Sequence, residues 1–181
     1  MKNIYDALIM GVYSVAGLSW LFTIYELITM HLLKSLAFKY GLPILKFSES
    51  ISVDNTTFEI GKSYLTRSGK FKFINQQECL FCHKYWTMFC TPFPIKGKIK
   101  FSDGSVYIEG KILLGTIIFM LMWIIGWTIG GVRTPGALKY TLVGWGFLLF
   151  MLLFSIPIEL WHIRKVYKEV KNYISSDTIT I

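Results

Sequence analysis

The residues Cys79-Leu80-Phe81-Cys82-His83 read as C-x-x-C-H, the spacing that attaches c-type haem and that loosely resembles half of a zinc site. Cys90 lies in the same stretch and could supply a further thiolate. A zinc ion needs four side chains converging on one point, and adjacent residues such as Cys82 and His83 rarely both reach it. The surroundings (Phe81, Tyr85, Trp86, Thr87, Phe89) are strand formers. Along a strand Cys79 and Cys82 point to opposite faces. These residues are therefore expected to be buried and reduced, with no cofactor, and a haem or metal-binding redox protein stands as an outside alternative. The other arrangement with ligand-bearing types is Glu159-x-x-His162, which puts both side chains on one helical face, half of a di-iron carboxylate pattern. Glu26 and His31 are spaced by five and cannot supply the other half.

The elements that must position these residues follow from composition. The 181 residues are 53% hydrophobic and 17% charged, against roughly 25% charged in ordinary soluble domains. The apolar residues gather in long runs. No charge occurs over 7–25, 112–132 or 140–158, each long enough to read as a membrane-spanning helix. Ser14-Val15-Ala16 would pass as a signal-cleavage site, but the apolar run continues through Trp20 and Phe22, so an uncleaved span is expected. The expected class is an integral membrane α+β protein: three transmembrane helices with a small antiparallel β domain inserted between the first and second. The boundaries are 7–26, 112–131 and 137–161 for the spans, 27–42 for an interfacial amphipathic helix, 45–111 for the β domain and 162–181 for a cytoplasmic tail.

Lysine and arginine near span ends resist translocation and set orientation. Lys34, Lys39, Lys46, Lys96, Lys98, Lys100, Lys111, Arg164, Lys165, Lys168 and Lys171 make 11 on the side of the β domain, against Lys2, Arg133 and Lys139, which make 3 on the other. The reading is a protein of the cytoplasmic membrane with its amino terminus outside and its β domain and carboxyl end in the cytoplasm. Haem attachment on the outer side is thereby disfavoured.

Within 45–111 the apolar period is two. Ile95, Gly97, Ile99 and Phe101 alternate with Lys96, Lys98 and Lys100, and Asp103-Gly104 then turns into Val106, Ile108 and Gly110, a strong hairpin signal. A weaker hairpin turns at Ser68-Gly69. With strands near 52–60 and 79–89, five or six antiparallel strands are expected. Lys70 and Lys72 repeat the basic alternation, so Lys70, Lys72, Lys96, Lys98 and Lys100 form the candidate surface for anionic headgroups. The same lysines could serve only to discourage edge-to-edge pairing. Tyr85, Trp86 and Phe89 are the candidate surface for a protein partner. Gly126-x-x-x-Gly130 invites close helix packing, against the Gly144 region or a second copy of the chain in a homo-oligomer.

No phosphate-binding loop, H-E-x-x-H or G-x-S-x-G motif occurs. The net charge of +8 comes without a recognition helix or aromatic RNA-binding pattern, so nucleic acid is not expected. A non-enzymatic membrane protein with lipid and protein contacts fits best. A small, basic, multi-pass chain also fits immunity against a membrane-acting toxin.

Overall fold

The computed structural model describes residues 2–50, 58–84, 93–102, 105–133, 136 and 138–177. The order is α1 (Lys2–His31), α2 (Ser35–Lys39), β1 (Leu42–Ser50), β2 (Ser63–Leu65), β3 (Gly69–Asn75), β4 (Glu78–His83), β5 (Ile95–Ser102), β6 (Ser105–Ile112), α3 (Leu114–Arg133) and α4 (Leu138–Asp177). Three of the helices are long and apolar enough to cross a membrane. At 1.5 Å per residue α3 measures about 30 Å, the thickness of a hydrocarbon core, whereas α4 measures about 60 Å and must extend well beyond one.

The strands form one antiparallel sheet in the order β1-β6-β5-β4-β3-β2. β5 and β6 pair down to Ser102 opposite Ser105, as the hairpin signal requires, with Asp103 and Gly104 themselves outside the described residues. β2 and β3 pair through Leu65 opposite Lys70, and the Thr66 amide donates to the Gly69 carbonyl at 2.9 Å, closing the second hairpin. β1 is not among the strands expected from the sequence, and of the strand expected near 52–60, residues 52–57 lie outside the described residues while 58–60 are not in a strand. The irregular register of β1 between Pro43 and Leu45 explains why alternation is weak at its start.

Helices cover both faces of this sheet. One face carries Phe71, Phe73, Cys79, Phe81, Ile95, Ile99, Val106 and Ile108, and packs against Ile163, Val166, Val170 and Ile174 of α4. Residues 162–177 were expected as part of a tail. They are instead the second half of a continuous helix, whose 3-4-4 apolar spacing supplies one buried stripe. Polar bonds flank that stripe on both sides. Glu49 of β1 accepts from Tyr167 Oη at 2.6 Å and from Lys171 Nζ, contacts that hold its carboxyl below the usual range. Glu169 accepts from the Ser68 amide at 2.9 Å and hydroxyl at 2.5 Å.

The opposite face packs Leu80 and Cys82 against Leu27, Met30, Leu33, Ala37 and Phe38. Residues 27–42 were expected to lie along a membrane interface; Leu27, Met30, Leu33, Ala37 and Phe38 pack on the sheet, while Ile28, Leu32 and Leu36 on the other side are exposed. α1 ends in a Schellman arrangement: Leu33 donates to Met30 O and Lys34 to Thr29 O. Leu33 takes the left-handed conformation (φ 50°) normally left to glycine, at a cost of about 1–2 kcal/mol. Its side chain is fully buried, which offsets that cost.

Two glycines set the packing distances. A Cβ on Gly97 would stand 2.2 Å from the Phe81 ring, which lies across the opposing strand. A Cβ on Gly69 would stand 2.6 Å from Val166, where α4 crosses β3. Gly97→Ala is expected to destabilise the protein by about 1–3 kcal/mol through overpacking. Thermal unfolding of the detergent-purified chain checks this, and adding Phe81→Leu should restore part of the loss.

Candidate functional site

The C-x-x-C-H residues separate as strand alternation demands. Cys79 lies in the face beneath α4, and Cys82 lies in the face beneath α1, its Sγ 3.6 Å from Met30 O. Both are free thiols. Burial raises the Cys79 thiol far above its usual range and pushes Cys82 up to about 12, so neither is a thiolate at neutral pH. His83 instead stacks on His162 of α4, with ring centroids 4.4 Å apart and planes 11° from parallel. His31 lies within electrostatic range of His83 and Lys70, so the histidines gather at one end of the sheet from α1, β4 and α4. Glu159, three residues before His162 on α4, is buried. Among the described residues, no three His, Cys, Asp or Glu side chains converge as a metal would require. Cys90 is outside the described residues, as are Tyr85, Trp86 and Phe89 of the expected partner surface.

Glu26 has a different role. It is 4% exposed, and its Oε1 lies 3.2 Å from Lys96 Nζ, itself on a residue only 1% exposed. Its Oε2 accepts from the Gly115 amide at 2.6 Å. Gly115 is in the first turn of α3, where amides lack helical partners and the dipole favours an anion. A Cβ there would stand 2.6 Å from the Thr23 hydroxyl, so α1 and α3 approach closely at this point. One carboxylate thus joins α1, β5 and α3. Burial holds the Lys96 ammonium below the ordinary lysine pKa, with the Glu26 charge and hydrogen bond opposing that shift.

Lys96 must therefore be withdrawn from the headgroup surface. Alternation put it on the correct face, but α1 covers that part of the face. The remaining lysines fall into rows fixed by register. Lys70, Cys82, Lys96 and Lys111 form the row at the bundle end, and Lys72, Leu80, Lys98, Glu109 and Lys46 the next. Glu78, Lys100, Tyr107 and Ser48 form the third. Lys98 pairs with Glu78 at 2.8 Å and Lys111 with Glu109 at 3.1 Å. Lys46 and Lys100 are exposed, and Lys70 and Lys72 half-buried. Lys46 and Lys111 join the basic face only through pairing, a relation that sequence alternation could not supply.

The helix glycines divide differently from expectation. Gly126 faces Val12 of α1, and a Cβ on Gly130 would meet no atom of the described residues within 4 Å. The close approaches between α3 and α4 are Gly131 on Thr141 and Gly144 on Trp127. Between the three long helices lies a cavity of about 160 Å³, walled by aromatic and apolar side chains, with Thr23 and Thr116 at the end toward the sheet. The chain matches no family model, no curated protein and no solved structure.

Lys96→Met alone, by leaving the Glu26 charge buried and unpaired, is expected to cost about 3–5 kcal/mol in unfolding measurements. Lys96→Met with Glu26→Gln should recover most of it, since the amide oxygen still accepts from Gly115. Maleimide applied to the native protein at pH 8 should leave Cys79 and Cys82 unmodified by peptide mass mapping, and unfolding should expose both.

Proposed function

We propose that this chain is a non-enzymatic multi-pass protein of the cytoplasmic membrane whose β domain gathers anionic headgroups through its basic face and binds a protein partner. The observation that carries the reading is the register of that face. Apart from the Lys96–Glu26 pair, Lys46, Lys70, Lys72, Lys98, Lys100 and Lys111 stand, among the described residues, against only Glu78 and Glu109 on this face.

The layout supports a specific form of contact. β5 starts next to Pro94, which lines the helix cavity, and β6 runs into α3 within two residues. The row of Lys70 and Lys111 is therefore at the level where the spans end. Each further row stands about 7 Å higher along the strands at most. The screening length at physiological salt is about 8 Å, so the first two rows feel a charged leaflet and the third much less. The sheet stands on the surface by its end, drawing anionic lipids around its base, and each lysine within reach contributes on the order of 1 kcal/mol. The excess of lysine and arginine on this side supports a cytoplasmic location. The partner half of the reading rests on the aromatic sequence at Tyr85, Trp86 and Phe89.

The full chain in mixed vesicles should select spin-labelled phosphatidylglycerol over phosphatidylcholine, read as the motion-restricted fraction by electron paramagnetic resonance. Replacing Lys70, Lys72, Lys98 and Lys111 with glutamine should lower that selectivity by about tenfold, and Lys100→Gln alone should change it by less than about twofold. Unaltered selectivity in the fourfold variant would sink the proposal.

A further inference from the structure

We propose that the chain from Ile28 to Leu42 lies in the headgroup layer, with Ile28, Leu32, Leu36, Tyr40 and Leu42 seated against the glycerol and upper acyl carbons of adjoining phospholipids. The proposal rests on α1, α3 and α4 being spans, and it does not depend on the basic face.

Depth is the first observation. α3 is about as long as a hydrocarbon core is thick, so its first turn marks the edge of that core. Two contacts tie the segment to this level, one at each end. Glu26 accepts from the Gly115 amide at 2.6 Å, and Leu42 pairs with Ile112, two residues before α3 begins. Both ends are therefore within about 7 Å of the core edge. Between them α1 climbs at most about 8 Å from Glu26 to His31, Leu33 turns the chain, and α2 leads back to Leu42. An excursion of that height spans the headgroup layer, which adds about 5–8 Å on each side of the core.

The second observation is which side chains the sheet leaves uncovered. Ile28, Leu32, Leu36, Tyr40 and Leu42 are each about half exposed, turned away from the sheet that receives Leu27, Met30 and Phe38. On α1 this exposed side prolongs that of the span, since Leu21, Tyr25, Ile28 and Leu32 follow one another at helical spacing. Scattered exposed leucines need no account, whereas an apolar side continuous with a lipid-facing one marks continued contact with lipid.

Charge selects the occupant. Residues 27–42 include His31, Lys34 and Lys39 and no acid. Both lysines are exposed, and the Lys39 ammonium stands 5.4 Å from the centre of the Tyr40 ring. Tyrosine and lysine, with apolar bodies and polar tips, suit the level where phosphates lie over acyl carbons. A second copy docked symmetrically here would set these lysines against each other, whereas lipid phosphates attract them.

The test uses the full chain carrying Cys90→Ser in phosphatidylcholine vesicles, with a nitroxide on Ile28→Cys, Leu36→Cys or Leu42→Cys in turn. Cys79 and Cys82 are buried, and the chain with Cys90→Ser alone is the labelling blank. Leu18→Cys, mid-span on α1, and Lys100→Cys, in the third row, mark hydrocarbon and water. Power-saturation electron paramagnetic resonance compares collisions with oxygen, which concentrates in lipid, and with a water-soluble nickel chelate. At all three positions nickel collisions should fall about threefold or more below Lys100→Cys, with oxygen collisions between the two limits. Unfolding temperature reports that each labelled chain folds. Nickel collisions as frequent as at Lys100→Cys overturn the proposal. Few collisions with either reagent would show protein covering this side and overturn it too, and broadening that grows with protein density would name a second copy. A hydrocarbon reading at Leu18→Cys shows the spans inserted, so either failure then falls on this segment and not on the spans or on headgroup selectivity.

Discussion

The architecture depends on a single buried carboxylate. Glu26 is the last charged position of a long apolar helix, and its two oxygens are committed to different elements, one to the Lys96 ammonium and one to the Gly115 amide. Burying an isolated carboxylate is prohibitive, so the side chain fixes its surroundings by needing both contacts at once. Lys96 sets the position of β5 along α1, and Gly115 sets where α3 begins. The α3 dipole adds to the lysine charge in stabilising the anion. Two helices and a strand are thereby locked at the boundary where the apolar spans give way to the sheet.

From that lock the rest of the packing follows. With β5 fixed, the face bearing Leu80 and Cys82 must receive the end of α1, and the strained Leu33 turns the chain so that α2 completes the cover. The other face is left to α4, and its length is what reaches it. Its first half is uniformly apolar, while its second half narrows the apolar residues to one stripe between two polar flanks. Glu49 of β1 bonds to Tyr167 on one flank, and Glu169 on the other flank bonds to Ser68 just before β3. The sheet is gripped between two of the helices long and apolar enough to cross a membrane, so it cannot tilt without bending one of them. A basic face held this way keeps its rows at fixed heights above the helix ends, which is what makes a graded contribution from successive lysines physically meaningful.

Much of this was legible in local pattern. Three charge-free runs, the Asp103-Gly104 and Ser68-Gly69 hairpin signals, and the opposition of Cys79 and Cys82 are consequences of periodicity within a few residues. What escaped was which remote element covers which surface. The apolar side of residues 27–38 looks the same whether it meets lipid or a sheet, and only the complementary gap at Leu80 and Cys82 decides. Lys96, Lys98 and Lys100 are equivalent in alternation, yet one is buried because a glutamate 70 residues earlier comes to meet it. The stripe of Ile163, Val166, Val170 and Ile174 was present in the sequence but was masked by four basic residues interleaved with it. Arg164, Lys165 and Lys168 are exposed on the outward side of the same helix and Lys171 sits on a flank bonded to Glu49, so none interrupts its apolar face.

The order of the strands also weighs the two explanations for the lysine alternation. Protection against edge-to-edge pairing requires charge on strands whose hydrogen-bonding groups are open to another chain. The edges here are β1 and β2. β3 and β5, which carry Lys70, Lys72, Lys98 and Lys100, are flanked on both sides, so their ladders are already satisfied. Of the basic residues on this face only Lys46 lies on an edge strand. Like charges concentrated on interior strands repel one another across the face, and Glu78 and Glu109 relieve only part of that repulsion. A sheet has no structural need for such an arrangement. An external anion placed against the lower rows would remove the repulsion, which is why the proposed headgroup contact accounts for the arrangement better than edge protection does.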